Sequence, residues 1–230
     1  MNANLGATKE LVKMNIDKTE ISKKIYRIFK RIVDILGALV GCIVLLPLTF
    51  GIWIANIIAK DNGPVFYVQK RIGKNGKVFT MYKYRSMVVN ADRKLKRYLL
   101  ENPEANKEFI EFRKLKDDPR VTSVGKFIRK TSLDEFPQFI NVLKGDMSLV
   151  GPRPYLPREK RAMKKAYKEI IKVKPGLTGP WQVNGRSEIS LEERMQIDIE
   201  YIQNESLIKD AKYLFKTALK ILKRDNEGAM

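Results

Sequence analysis

Ile35-Leu-Gly-Ala-Leu-Val-Gly-Cys-Ile-Val-Leu-Leu-Pro-Leu-Thr-Phe-Gly-Ile-Trp-Ile-Ala-Asn-Ile-Ile-Ala59 carries no charged side chain. A continuous helix over this run is about 37 Å long, against a hydrocarbon core of about 30 Å. The run is too long, and too far from the terminus, for a cleaved signal peptide. Pro47 in its middle should kink or break the helix. Each half, at about 18 Å, is too short to cross alone. Basic residues flank both sides: Lys23, Lys24, Arg27, Lys30 and Arg31 before it, Lys60, Lys70, Arg71, Lys74 and Lys77 after it. The positive-inside rule places both ends in the cytoplasm. A helix that enters, bends at Pro47 and leaves by the same face satisfies both observations; an ordinary kinked span is the competing reading. Asp34, at the mouth of the run, is expected to pair with Arg31 or a neighbouring basic residue.

The composition narrows the chemistry. The 230 residues hold 45 Lys+Arg against 26 Asp+Glu, a formal net charge of +19. That balance suits a polyanionic partner: nucleic acid, anionic lipid or a phosphorylated substrate. There is no histidine, which removes imidazole bases, Ser-His triads and His-ligated metals. The one cysteine, Cys42, lies in the apolar run and excludes a disulfide framework or a Cys-rich zinc site. An enzyme built from this chain works with carboxylates, Lys, Arg and an oxygen-ligated ion such as Mg²⁺.

Residues 129–154 concentrate those groups. Asp134 and Glu135 are adjacent carboxylates, with Arg129 before them and Arg153 after them between two prolines. Ser132 with Glu135 three residues on has the spacing of a capping box. Pro137 argues for a later helix start. A short helix is expected from Phe136 to Leu143, closed by Lys144-Gly145, with the carboxylates at its positive end. Cations around a carboxylate pair suit a site that handles phosphate.

Elsewhere the pattern is coarser. Val65–Val68 and Val78–Met87 read as two strands of a hairpin turned at Asn75-Gly76, with Lys83 and Arg85 on one face. Residues 90–116 read as charged helix, and Asp117-Asp118-Pro119 as a turn in preference to a metal pair. Residues 155–174 read as one basic amphipathic helix. Pro175-Gly176, Gly179-Pro180 and Asn184-Gly185-Arg186 read as turns. Trp181 is either a headgroup-level anchor or core. Residues 191–205 and 207–223 read as two further helices, the second surface-lying.

An ordered set of short motifs resembles the bacterial sugar transferase family, the monotopic phosphoglycosyl transferases. The set comprises Lys30-Arg-Ile-Val-Asp34, Tyr82-Lys-Tyr-Arg-Ser-Met87, Thr131-Ser-Leu-Asp-Glu135, Asn141-Val-Leu-Lys-Gly-Asp-Met-Ser148, Gly151-Pro-Arg-Pro154, Lys174-Pro-Gly-Leu-Thr-Gly179 and Gln182-Val-Asn-Gly-Arg186. It extends from about Lys23 to Lys223, and its length resembles that of the family's short members. The resemblance implies transfer of a sugar 1-phosphate from a UDP-sugar to polyprenyl phosphate, with release of UMP and with Mg²⁺ as cofactor. It implies Asp134 as nucleophile and metal ligand, Glu135 as its dyad partner, and Lys83, Arg129 and Arg153 as substrate-binding cations. Members commonly carry serine before the helix-breaking proline, whereas Leu46 stands there in this chain. That leaves less side-chain help for the freed backbone carbonyl.

The resulting expectation is an α+β fold, mainly helical. It has an N-terminal re-entrant membrane helix broken at Pro47, a small β-hairpin and several amphipathic interfacial helices. The expected division is a flexible N terminus (1–22), the re-entrant helix (23–60), a catalytic domain on the cytoplasmic face of the bacterial membrane (61–224) and a tail (225–230). The expected partners are a UDP-sugar, polyprenyl phosphate and anionic lipid, with no nucleic acid and with homodimer formation open. The alternatives are a basic membrane-associated nucleic-acid binder and a membrane scaffold with an inactive site. The first leaves the proline-broken apolar helix and the Asp-Glu dyad unexplained; against the second stands that every matched functional position holds the expected residue type.

Overall fold

The computed structural model describes residues 2–112, 115–184 and 190–222. Most of them are helical, and the chain begins with one long helix, α1, Asn2–Ile58. Two expectations change here. The stretch expected to be a loose N terminus is helical from Asn2, and the helix runs through Pro47 without a break in its secondary structure. The hydrogen-bonding reason is local. Thr49 Oγ1 donates to the Leu45 carbonyl at 2.7 Å and lies 2.6 Å from the Tyr84 hydroxyl. Side-chain support thus comes from Thr49, two residues after the proline, and from Tyr84 outside the helix, in place of a serine before it. A threonine bonded to the carbonyl four residues back bends a helix without interrupting it.

One face of α1 is buried: Asp34, Ala38, Gly41, Leu45, Ile52 and Asn56, at spacings of three, four and seven residues as one helical stripe requires. Leu149 and Phe139 press against Gly37 and Gly41. The opposite face is apolar and exposed, with Val40, Ile43, Leu46 and Phe50 all more than half exposed. An exposed apolar stripe of this size has no place against water.

After α1 come β1, Phe66–Ile72, and β2, Val78–Tyr84, paired antiparallel with Phe66 opposite Tyr84 and Ile72 opposite Val78. Asn75 in the turn has φ 57°, the left-handed geometry that makes Asn-Gly a hairpin signal. The charged segment divides at Asn102 into α2, Ala91–Glu101, and α3, Pro103–Phe112. Next are α4, Ser123–Lys130, and α5, Gln138–Lys144, then β3, Ser148–Val150. The expected single helix over 155–174 is in fact a 3-10 turn followed by α6, Lys160–Met163, and α7, Ala166–Ile170. Lys164, at φ 46°, interrupts it. The Pro175-Gly176 turn leads directly into β4, Gly176–Thr178, which pairs in parallel with β3. Then follow α8, Pro180–Asn184, α9, Leu191–Gln203, and α10, Leu207–Leu222. The expected Gly185-Arg186 turn and the 225–230 tail lie outside the described residues.

Two of the three apolar clusters position the site. One joins Ala38 of α1 to Phe79 and Met81 of β2, Val142 of α5 and Leu149 of β3. Another joins Leu45 and Ile52 of α1 to Tyr84 and Ile128, with Leu133 and Phe136 packed against it. Those last two residues bracket the dyad, so the carboxylates sit on a turn whose ends are anchored in core packed against the apolar helix.

Candidate active site

Asp134 and Glu135 lie in the 3-10 turn Leu133–Glu135, not in the first turn of a helix. The capping-box expectation fails because Ser132 has φ 56° and makes no side-chain cap bond, while α5 starts only at Gln138, with Pro137 as its N-cap. The working cap is Thr122, whose Oγ1 accepts from Gly125 N at 2.9 Å and starts α4. Gly125 is required there, because a Cβ would run into the Ser86 carbonyl. That approach brings α4, and Arg129 near its end, onto the residues just after β2.

Lys83 reaches the dyad from β2. Its Nζ lies 3.0 Å from Glu135 Oε1 and 3.4 Å from Asp134 Oδ2. Asn141, fully buried in α5, fixes that strand against the helix: its Oδ1 accepts from Tyr82 N at 3.0 Å and its Nδ2 donates to the Thr80 carbonyl at 2.8 Å. Burial raises the Asp134 pKa, which Lys83 opposes and Glu135 reinforces. The expected aid from a helix N-terminus is therefore replaced by the ammonium of Lys83. Burial alone would lower the Lys83 pKa, but Glu135 and Asp134 more than offset it and the pKa is raised.

A cavity of about 740 Å³ opens beside these groups; Arg71, Arg129, Asp134 and residues 83–93 are among those that line it. Its volume is in the range of small-molecule sites. Arg129 Nε donates to Ser86 Oγ at 2.8 Å, and burial lowers its pKa. Arg153 does not line this cavity. Its guanidinium stacks on the Trp181 ring at 5.0 Å, and its backbone N donates to Asp198 Oδ2 at 3.2 Å. Trp181 is core, 5% exposed.

Arg71 links the two parts. Its Nη1 donates to the Pro154 carbonyl at 2.8 Å, tying β1 to the loop that carries Arg153. Burial and the charge of Arg153 push its pKa down to about 10. In the sequence Arg71 reads only as one of several flanking cations, since nothing in a basic run marks the residue that will be buried. Asp198 is the other residue missed. Wholly buried, it accepts from Tyr155 Oη at 2.9 Å, and burial pushes its pKa up to about 7.

Asp34 departs from expectation: it accepts from Ser148 Oγ at 2.9 Å and Leu149 N at 2.8 Å. Arg31 instead donates to the Val142 and Leu143 carbonyls at the end of α5. Asp118 pairs with Arg120 at 2.6 Å, as a turn residue does. Among the described residues no three metal-ligating side chains form a cage. Asp134 and Asp92 line the cavity and Glu135 adjoins Asp134; one or two carboxylates suit Mg²⁺ shared with substrate phosphates.

The sequence profile described as bacterial sugar transferase matches residues 25–224. The chain is 44% identical over 208 residues to the undecaprenyl-phosphate galactose phosphotransferase of Salmonella typhimurium, covering 90% of this chain and 43% of that protein. It is 44% identical to the exopolysaccharide production protein ExoY of Sinorhizobium fredii, covering 83% of this chain and 84% of that one. It is 39% identical to the UDP-glucose:undecaprenyl-phosphate glucose-1-phosphate transferase of Escherichia coli, covering 84% and 40%. Against the Salmonella and Escherichia relatives the chain spans less than half of their length. With the profile matched over nearly its whole length, the chain belongs to the bacterial sugar transferase family.

Proposed function

We propose that this protein transfers a sugar 1-phosphate from a UDP-sugar to undecaprenyl phosphate, through a covalent intermediate on Asp134, and so starts a surface glycan. The observation that carries this reading is the half-buried Asp134 beside Glu135 and Lys83, on a cavity also lined by Arg71, Arg85, Arg93 and Arg129, in a member of this family.

A carboxylate oxygen of Asp134 attacks the phosphorus that bears the sugar. The bond from that phosphorus to the bridging oxygen breaks, and UMP leaves with the electron pair. An oxygen of the acceptor phosphate then attacks the same phosphorus, and Asp134 leaves as a free carboxylate. The ammonium of Lys83 favours the ionised form of Asp134 against its partial burial. Arg129 and Arg71 supply fixed positive charge to the diphosphate, where preorganised cations contribute most. Mg²⁺, when bound, offsets phosphate charge, and Asp134 with Glu135 would hold it.

The proposed topology is re-entrant, with the catalytic body on the cytoplasmic face. Both ends of the apolar run are tied to one body. Before it, Lys30 Nζ meets Asp210 Oδ2 of α10 at 2.6 Å; after it, Asp61 Oδ2 meets Arg85 Nη1 at 3.0 Å. A spanning helix would hold its two ends on opposite sides of about 30 Å of hydrocarbon. Ile208 and Phe215 of α10 and Phe127 of α4 are exposed, as surface-lying helices would require.

The test is UMP release from a panel of UDP-sugars with undecaprenyl phosphate. Wild type should release UMP with a preferred donor, and Asp134→Asn should fall to background. Equal release by both proteins would remove Asp134 from this role.

A further inference from the structure

A second cavity lies at the far end of α5 from the dyad. It measures about 90 Å³ and is enclosed by the turns of α1 just before the apolar run, the hairpin turn and the segment ahead of β4. Six cations line it, Arg27, Lys30, Arg31, Lys74, Lys172 and Lys174, against the two carboxylates Asp34 and Glu205. Asp34 is engaged by Ser148 and Leu149, Lys30 by Asp210, Arg31 by the end of α5, and Lys172 by Glu169. The side chains of Lys74 and Lys174 make no hydrogen bond or ion pair among the described residues, while Arg27 acts electrostatically on Glu205.

The cations crowd one another. Arg31 Nη2 and Lys174 Nζ each come within 3.4 Å of the place a side chain on Gly145 would take. Burial and the charges of Arg31 and Lys74 push the Lys174 pKa down. Cations held together in a partly desolvated space are stabilised by an anion placed among them. A water needs about 10–15 Å³ on this measure of volume, so the cavity admits a tetrahedral oxyanion and not a sugar nucleotide. Its α1 wall ends at Asp34, directly before the uncharged run, which places it at headgroup depth if α1 enters the bilayer.

We propose that this cavity binds the phosphate of an anionic membrane phospholipid, at a site separate from the one that holds Asp134. The ligand identity rests on the membrane reading of α1; the oxyanion chemistry does not.

The experiment is native mass spectrometry of the full chain, with phosphatidylglycerol, phosphatidylcholine or inorganic phosphate titrated in. It compares wild type, Lys74→Gln/Lys174→Gln, and a control with the same change in charge on exposed residues of α2, Lys94→Gln/Lys96→Gln. UMP release is read on the same samples. The proposal expects wild type and control to retain one phosphatidylglycerol, with affinity roughly tenfold lower in the cavity variant and UMP release kept. Equal retention by all three proteins would overturn it, as would equal retention of phosphatidylcholine. Inorganic phosphate that displaces the lipid at equal concentration would make free phosphate the ligand and overturn the lipid assignment. Absence of UMP release from every sample would count against the catalytic reading alone, because lipid retention is read independently.

Discussion

The Asp134 side chain is 17% exposed and that of Glu135 40%, and one ammonium, that of Lys83, serves both. The sign of the coupling is set by that arrangement. Burial raises the Asp134 pKa, so the carboxylate proposed as nucleophile is lost to protonation at a higher pH than an ordinary carboxylate, and Lys83 limits the rise. Lys83→Met should therefore move the acid limb of the pH–rate profile upward in its residual turnover, while Lys83→Arg, which keeps the charge, should leave the limb near its wild-type position. An acid limb unmoved in Lys83→Met would show that Lys83 does not set the charge of Asp134. The dyad, Lys83 and Arg129 were legible because a carboxylate pair and its cations stand in recognisable motifs. Arg71 and Asp198 were not, because their roles come from burial, which neither a basic flank nor an acidic helix announces.

Among elements, α1 and the hairpin were the most legible, through an uncharged run and the positive φ that Asn-Gly supplies. The three-residue strands β3 and β4 were not, since so short a strand shows no alternation to read. The residues between 155 and 174 carry a helical apolar spacing but fold as two short helices, because Lys164 takes φ 46° between them; Met163 and Ile170 still share one cluster. The capping-box spacing at Ser132 misled for a related reason: the chain needs a left-handed residue there to turn from α4 into the dyad. At this scale the Thr49–Tyr84 hydroxyl pair joins α1, two residues past its proline, to the strand that carries Lys83. Tyr84→Phe and Thr49→Val should each lower the thermal midpoint in detergent. A double-mutant cycle should return a coupling of roughly 1 kcal/mol. Strict additivity would mean that the contact contributes nothing to holding the strand on the helix.

The whole molecule has an exposed apolar face on α1 and ionic ties from both ends of that run to one body. On a Cys42→Ser background, cysteines placed at residues 23 and 62 should both react with a membrane-impermeant reagent from the cytoplasmic side. Labelling from opposite sides would show a span and would contradict the re-entrant topology. The overall charge of +19 does not by itself separate lipid from nucleic acid as a partner; the uncharged run is what favours lipid in the proposed reading.

The account turns on a covalent step at Asp134, and the most direct measurement is UMP formed by the purified protein from its preferred UDP-sugar with no acceptor present. The account predicts a rapid burst approaching one UMP per protein, absent from Asp134→Asn, with continued turnover restored by undecaprenyl phosphate. UMP that forms only when undecaprenyl phosphate is present, with no burst in its absence, would show direct transfer between substrates and contradict the covalent intermediate.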